Sequence, residues 1–122
     1  MNPFRDQSTF MQACGQSVGK FNTDQFNLYV GLIEEEANEL TEAINAHDKV
    51  ETLDALIDIL VVTIGAIHSM GADAEGAWDE VVRSNMTKID KETGKVRKRE
   101  DGKILKPVFW QPPQLEQYLT KK

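Results

Sequence analysis

The sequence predicts an all-α fold, a bundle of about four helices followed by an irregular or hairpin tail. Two long segments carry apolar residues at alternating steps of four and three, which is the spacing of one helix face. The β-branched run at residues 59–64 lies inside one of these segments, and the whole pattern is far too long for a strand. The 122 residues have the size of one domain, so we expect a single domain with a helical body at about residues 6–88 and a tail at about 89–122.

The first two helices are predicted from their capping residues and apolar faces. The first spans about residues 7–18, with Asp6 as its N-cap and Gly19 as its stop. The second begins at the N-cap Thr23 and runs to about Ala46. Its apolar face consists of Phe26, Val30, Ile33, Ala37, Leu40 and Ile44.

The third and fourth helices follow after short connections. The third stops near Gly71, and its apolar face consists of Val50, Leu53, Ile57, Leu60, Ile64 and Ile67. Asp73 is placed to cap the fourth helix, which carries Ala77, Trp78, Val81, Val82 and Met86 on one side. Long apolar faces on such a short chain predict that dimerisation completes the core.

The tail is predicted from its turn residues and its charge. Helical periodicity ends after Lys88, and turn signals at Gly94 and Gly102 separate short segments that can pair as a hairpin. Residues 1–87 carry 15 acidic and 4 basic side chains, whereas residues 88–106 carry 8 basic and 4 acidic ones. An acidic body therefore carries a basic tail.

The composition argues against several classes of protein. A net charge of -6 and a pI near 4.9 are unfavourable for binding a phosphate backbone, so we expect no nucleic-acid partner. The longest apolar stretch falls short of the roughly 20 residues of a membrane span, so we expect no membrane partner. The N-terminus lacks the pattern of a signal peptide and Cys14 is the single cysteine, which together predict a cytoplasmic protein.

Carboxylates border the apolar faces of the second and third helices. Glu36 and Glu39 lie beside the face of the second helix, and Glu51, Asp54 and Asp58 lie beside that of the third. Packing the two faces together can bring these acidic edges face to face, where a divalent cation would offset their repulsion. Because the donors are oxygens, without His or Cys, we expect Mg²⁺, with Mn²⁺ as the alternative, rather than Zn²⁺.

Four segments resemble the MazG-like all-α nucleoside triphosphate pyrophosphohydrolases. They are ExxE at residues 36–39, ExxD at 51–54, SNMTK at 84–88 and DGKILKP at 101–107. The last two are similar to the Cof-like, dUTPase-related branch of these proteins. The resemblance implies a helical fold that forms homodimers or homotetramers. It also implies cleavage of a nucleoside triphosphate to the monophosphate and pyrophosphate, in the manner of a house-cleaning enzyme that acts on dUTP or damaged nucleotides.

The resemblance also implies roles for the acidic residues. The metal ligands that it implies are Glu36, Glu39, Glu51, Asp54 and Asp58. Glu35 would be either a further ligand or the base that orients the attacking water. The catalytic candidates are therefore Glu35, Glu36 and Glu39.

Basic and polar residues of the fourth helix and the tail are candidates for binding the substrate, since phosphates need cationic partners. Asn85 offers an amide to a phosphate, the sugar or the base. Trp110 could stack on the base or, alternatively, anchor the tail to the bundle. The substrate-binding candidates are Arg83, Asn85, Lys88, Lys103, Lys106 and Trp110.

Two other functions fit the same residues. One is a non-catalytic helical interaction module whose acidic edges bind a basic partner. The other is a hydrolase that acts on phosphoribosyl-ATP and shares the fold and the acids. Dependence on the metal separates the first from an enzyme, and the products formed from phosphoribosyl-ATP identify the second.

Overall fold

The computed structural model describes residues 2–107 and 110–119 of the chain. They form four helices and one short 3₁₀ turn, which are α1 Pro3–Ala13, α2 Thr23–Asn45, α3 Lys49–Ser69, α4 Ala74–Met86 and the turn Glu116–Tyr118. No strand is present in these described residues. The predicted all-α fold class is therefore confirmed.

The start of α1 differs from its prediction. The helix begins at Pro3 rather than near residue 7, and Asn2 rather than Asp6 is its N-cap. The side-chain oxygen of Asn2 accepts a hydrogen bond from a backbone N–H of the first turn at 2.8 Å. Proline fits the first helical position because its missing N–H would have no partner there.

The end of α1 also differs, because Gly15 rather than Gly19 ends the helix. Gly15 adopts a φ of 79°, which no longer continues a right-handed helix. The buried side chains of α1 are Gln7 and Met11, one turn apart, whereas the predicted apolar residue Phe10 is exposed. The predicted extension to residue 18 is therefore wrong.

The helices α2 and α3 form an antiparallel hairpin with a short connection. Asn22, one residue before the predicted cap Thr23, accepts a hydrogen bond from the backbone N–H of Gln25 at 3.1 Å. In the connection His47 adopts a left-handed φ of 53°, and Asp48 then caps α3. Such a short connection places the two helices side by side along their length.

A buried glutamine sets the alignment of α2 and α3. The side-chain amide of Gln25 donates to Oγ of Ser69 at 2.9 Å and to the carbonyl oxygen of Ser17 at 2.8 Å. Its side-chain oxygen accepts from the backbone N–H of Ser17 at 3.0 Å. The start of α2 is thus joined to the end of α3 and to the loop that follows α1.

One turn further along, an aromatic ring lies where the facing helix has no side chain. Tyr29 is buried against Gly65, and a Cβ placed on Gly65 would overlap the ring. The hydroxyl of Tyr29 donates to Oε1 of Gln16 at 2.5 Å. Gly65 is therefore required by close approach of the ring rather than by a special backbone conformation.

We expect Gly65→Ala to lower the free energy of unfolding by about 1–3 kcal/mol, because the added methyl group forces the buried ring of Tyr29 to shift. Gly31→Ala is the matched control, since Gly31 lies inside α2 with open space around its Cα. Removing that helical glycine should raise stability by roughly 0.5–1 kcal/mol. Urea unfolding of both variants tests this, and equal effects would contradict the steric role of Gly65.

The core is concentrated where α1, α2 and α3 meet. Met11, Tyr29 and Ala66 form its buried centre, surrounded by the partly buried residues Val18, Phe26, Leu32, Ile33 and Val62. The predicted apolar face of α3 is only partly covered, because Ile64 is 8% exposed whereas Leu60 is 58% exposed. The same face is also exposed closer to the start of α3, at Leu53 and Ile57.

The structure divides into two compact units. The first contains α1, α2 and α3, and the second comprises Glu75–Tyr118. On α4, Trp78 and Met86 were predicted to line the apolar side, but each is more than half exposed. Assignment of the whole chain to a single domain stays a prediction.

The tail forms two tight turns in the second unit. Gly94 and Gly102 lie in these turns with φ values of 69° and 88°. Two isolated antiparallel bridges close the turns and join Ile89 to Val96 and Lys98 to Ile104. The predicted hairpin character of the tail is confirmed here, while residues 108–109 and 120–122 lie outside the described part. Within that part, no helix combines the length and apolar character needed to span a membrane.

Candidate functional site

The alignment of α2 and α3 also brings carboxylates together. Tyr29 on α2 faces Gly65 on α3. Glu36 lies seven residues after Tyr29 on α2, and Asp58 lies seven residues before Gly65 on the antiparallel α3. Four of the predicted acids, two on each helix, interact there through their charges and hydrogen bonds. We call this group the acidic cluster, and its members are Glu36, Glu39, Asp54 and Asp58.

The acidic cluster raises the pKa of Glu36. Burial is the largest cause, followed by a hydrogen bond with Glu39 and by the negative charges of Glu39, Asp58 and Asp54. The Oε2 atom of Glu36 is buried and has no hydrogen-bond partner in the described structure. A buried carboxylate oxygen without a partner is costly, so this atom is suited to bind a cation.

The pKa of Asp58 is raised for similar reasons. Burial contributes most, followed by the charge of Asp54 and a hydrogen bond with it, and then by the charge of Glu39. Full ionisation of the acidic cluster is therefore unfavourable without a nearby positive charge.

The remaining two predicted acids flank the acidic cluster. Glu35 lies one turn before Glu39 on α2, and Glu51 lies one turn before Asp54 on α3, and both are exposed. The backbone N–H of Glu51 is bound by the capping carboxylate of Asp48 at 3.0 Å. They are not among the groups that raise the pKa values of Glu36 and Asp58.

The chemistry of the acidic cluster fits a hard divalent cation. All its donors are carboxylate oxygens, which Mg²⁺ and Mn²⁺ prefer. Among the side chains of residues 2–107 and 110–119, no three Asp, Glu, His or Cys are already arranged around one ion position. Cation binding would thus require side chains to turn inward, and Glu39 and Asp54 are exposed enough to do so.

In the second unit, Arg83 is held by a residue that the sequence analysis missed. The buried carboxylate of Glu80 accepts from Nε of Arg83 at 2.7 Å and from its Nη2 at 2.9 Å. It also accepts from the backbone N–H of Gln114 at 2.6 Å. The spacing of three residues between Glu80 and Arg83 on one helix is the signal that could have revealed the pair.

The ring of Trp110 is held between α4 and the tail. Its indole N–H donates to the carbonyl oxygen of Ser84 at 3.3 Å. The Nζ atom of Lys106 lies 4.4 Å from the ring centre and that of Lys88 lies 5.4 Å away, which are cation–π distances. These contacts match the anchoring alternative for Trp110, and stacking on a base stays a prediction.

The other substrate-binding candidates lie in the same unit. Nζ of Lys88 donates to Oδ1 of Asn85 at 3.0 Å, which leaves the amide N–H groups of Asn85 as donors. Lys103 is exposed in the second turn, where its backbone N–H donates to Asp101 at 3.0 Å. The second unit therefore brings Asn85, Lys88, Lys106 and Trp110 together and pairs Arg83 with Glu80.

Glu80 should make the second unit sensitive to acid. Its hydrogen bonds with Arg83 and Gln114 lower its pKa from 4.5 to about 2. The stabilisation is therefore fully present above pH 4.5 and is lost as the pH falls through about 2. We expect the difference in free energy of unfolding between the wild type and Glu80→Gln to be largest near neutral pH and to shrink over this range.

Urea unfolding of both proteins at several pH values measures this difference. Asp79→Asn is the control, because it removes a charge from the exposed neighbouring position of α4 and leaves the contacts of Glu80 in place. A difference that does not change with pH would contradict the stabilising role of the ionised Glu80.

Part of the chain matches a known protein family. Residues 8–85 match the family PRA-PH, phosphoribosyl-ATP pyrophosphohydrolase. A separate comparison with curated proteins gives no match. The matched segment ends in α4 and contains the entire acidic cluster. Because it covers more than half of the sequence, the protein belongs to the phosphoribosyl-ATP pyrophosphohydrolase family, a MazG-like family of all-helical hydrolases that act on phosphoric anhydrides.

Proposed function

We propose that the protein hydrolyses a nucleoside triphosphate to the nucleoside monophosphate and pyrophosphate with the help of Mg²⁺. The observation that carries this proposal is the acidic cluster, in which two helices contribute carboxylates and one buried oxygen of Glu36 has no partner. A surface that only mediates protein interaction does not need such a repulsive group. Family membership likewise favours an enzyme over the interaction module.

The proposed reaction needs carboxylates, which hold the metal ion, and positive charge, which neutralises the phosphates. The oxygen of a water molecule attacks the α phosphorus, the bond from this phosphorus to the bridging oxygen breaks, and pyrophosphate leaves with the bonding electron pair. Mg²⁺ (or Mn²⁺), when bound, supplies positive charge to the phosphate oxygens. We assign its binding to Glu36, Glu39, Glu51, Asp54 and Asp58.

A carboxylate must also accept the proton that the attacking water loses. Glu35, as the exposed neighbour of Glu36, is either this base or a further metal ligand. The catalytic candidates remain Glu35, Glu36 and Glu39. Burial and the neighbouring carboxylates raise the pKa of Glu36, and a carboxylate whose pKa is raised is a stronger base.

The second unit supplies candidates for binding the anionic part of the substrate. Lys88 and Lys106 are positioned on the ring of Trp110, and the amide of Asn85 is beside Lys88. Arg83 and Lys103 complete the set. Ordered cations lose less conformational freedom on binding phosphate than unconstrained side chains do.

Phosphoribosyl-ATP is the second candidate substrate, because it gives the matched family its name. It has the same triphosphate group, so the acidic cluster serves both substrates with the same chemistry. The SNMTK and DGKILKP segments favour instead the Cof-like, dUTPase-related branch and hence dUTP or a damaged nucleotide in nucleotide-pool house-cleaning.

Purified protein incubated with a panel of triphosphates and Mg²⁺ or Mn²⁺ tests the proposal. The panel contains the common ribo- and deoxynucleotides, dUTP and phosphoribosyl-ATP, and each phosphate product is quantified separately. We expect equal amounts of monophosphate and pyrophosphate, lost on adding a chelator. Release of inorganic phosphate alone, or turnover that is insensitive to the chelator, would contradict the proposal.

We further propose that the protein is a homodimer or homotetramer. The exposed apolar residues Leu53, Ile57 and Leu60 support this, since they form one continuous stripe on α3. Light scattering during size-exclusion chromatography measures the mass, and a value of 13.8 kDa would identify a monomer and contradict the proposal. Cytoplasmic location also remains part of the proposal.

A further inference from the structure

The carboxylate of Glu80 binds both a side chain of α4 and the backbone of the C-terminal segment. Oε1 of Glu80 accepts a hydrogen bond from Arg83, and Oε2 accepts from both Arg83 and the backbone N–H of Gln114. Glu80 is buried, while the side chain of Arg83 is 56% exposed. The pair therefore has a fixed inner partner and an accessible outer partner.

Arg83 retains donors after pairing with Glu80. A guanidinium has five N–H groups, and the two bonds to Glu80 occupy two of them. The planar group is thereby held in one orientation, with its remaining N–H groups available to a second planar or tetrahedral anion. An exposed arginine without such an inner partner would have to lose its rotational freedom when the anion binds.

We infer that Glu80 is a positioning residue that orients Arg83 to bind a phosphate of the substrate. This role rests on the proposed pyrophosphohydrolase function and adds to it the residue that prepares the phosphate contact. Because both of its carboxylate oxygens already accept hydrogen bonds within the chain, we expect Glu80 to act through Arg83 rather than by contacting the substrate. Glu80 also holds the C-terminal segment against α4 through the backbone N–H of Gln114. The orientation of Arg83 therefore depends on the position of that segment.

A double-mutant cycle between residues 80 and 83 tests the inference. The variants are Glu80→Gln, Arg83→Lys and their combination, each checked for folding by circular dichroism. We expect Glu80→Gln to raise KM about tenfold with kcat within about twofold, because ground-state phosphate binding is weakened. In the Arg83→Lys background the same change should have little further effect, since the residues act through one contact.

Glu80→Asp and Asp79→Asn complete the set. Glu80→Asp keeps the charge and should restore part of the affinity, and it replaces Glu80→Gln if the latter does not fold. Asp79→Asn removes a neighbouring charge from α4 and should leave KM unchanged. Additive effects at residues 80 and 83 would assign Glu80 a purely structural role. A lower KM in Glu80→Gln would show that Glu80 masks Arg83, and either result overturns the inference.

Binding of inorganic triphosphate, measured by calorimetry, separates this inference from the proposed function. We expect the affinity for triphosphate to fall about tenfold in Glu80→Gln and not to fall further in the double variant. If the wild type hydrolyses no nucleotide, the proposed function fails, and the calorimetric cycle still decides whether Glu80 orients Arg83. Equal triphosphate affinity in the wild type and Glu80→Gln overturns the inference even when turnover is normal.

Discussion

Glu39→Ala is expected to reduce pyrophosphohydrolase activity by about a hundredfold to a thousandfold, because it removes a proposed ligand of the Mg²⁺ ion that would neutralise the phosphates. The fold should remain intact. Glu39 is exposed, and its negative charge is one reason why the pKa of Glu36 is raised. Removing it relieves repulsion in the acidic cluster, so the free energy of unfolding without Mg²⁺ should be unchanged or slightly higher.

Initial rates at saturating substrate and urea unfolding in the presence of a chelator measure the two effects. Glu42→Ala is the matched control, since Glu42 is an exposed glutamate one turn further along α2 and outside the acidic cluster. Its activity should equal that of the wild type. Retained activity in Glu39→Ala would remove Glu39 from the ligand set, and a loss of stability there would show that it supports the fold.

Mg²⁺ should stabilise the wild type against unfolding. The unfolded chain does not hold the acidic cluster together, so a Mg²⁺ ion bound to the cluster, as proposed, would bind preferentially to the folded state. At a free ion concentration 100 times the Kd, the free energy of unfolding should rise by about 2.7 kcal/mol. Relief of the repulsion that raises the pKa of Glu36 and Asp58 provides the physical reason.

Urea unfolding with MgCl₂, compared with KCl at equal ionic strength, measures this stabilisation. Asp54→Asn should lose most of it because it removes a charge that acts on both Glu36 and Asp58. Glu42→Gln, which removes a charge elsewhere on α2, should keep it. An equal effect of KCl would show general screening of the acidic body rather than binding of the ion to the acidic cluster.

Much of the helical body could be predicted from local sequence patterns. The apolar spacing and caps located α2, α3 and α4 to within a few residues. The error in α1 came from weighting apolar residues such as Cys14 and Val18 above the local signals of Pro3 and Gly15. Periodicity describes which face of a helix is apolar, but a short helix is bounded more strongly by its capping residues.

The candidate site was predictable as a set of residue types but not as a set of contacts. The acids were expected at the borders of two helix faces, and the structure brings together the four members of the acidic cluster. Which acids face one another depends on the alignment of α2 and α3. Because a helical apolar pattern repeats every turn, the sequence is compatible with more than one such alignment. Glu80 and Gln114 are 34 residues apart, so their hydrogen bond depends on how the tail folds back.

The fit of Tyr29 against Gly65 fixes how the carboxylates of α2 and α3 are aligned. If α3 slid along α2 by one turn, the ring would meet Val61 or Ser69, whose side chains occupy the space that Gly65 leaves open. The same slip would move Asp58 about 6 Å from its place opposite Glu36. The contact between Tyr29 and Gly65, roughly 10 Å away, therefore determines the spacing between Glu36 and Asp58. Substitutions among the exposed acids or in the tail would leave the contact between Tyr29 and Gly65, and with it the spacing of the carboxylates, unchanged.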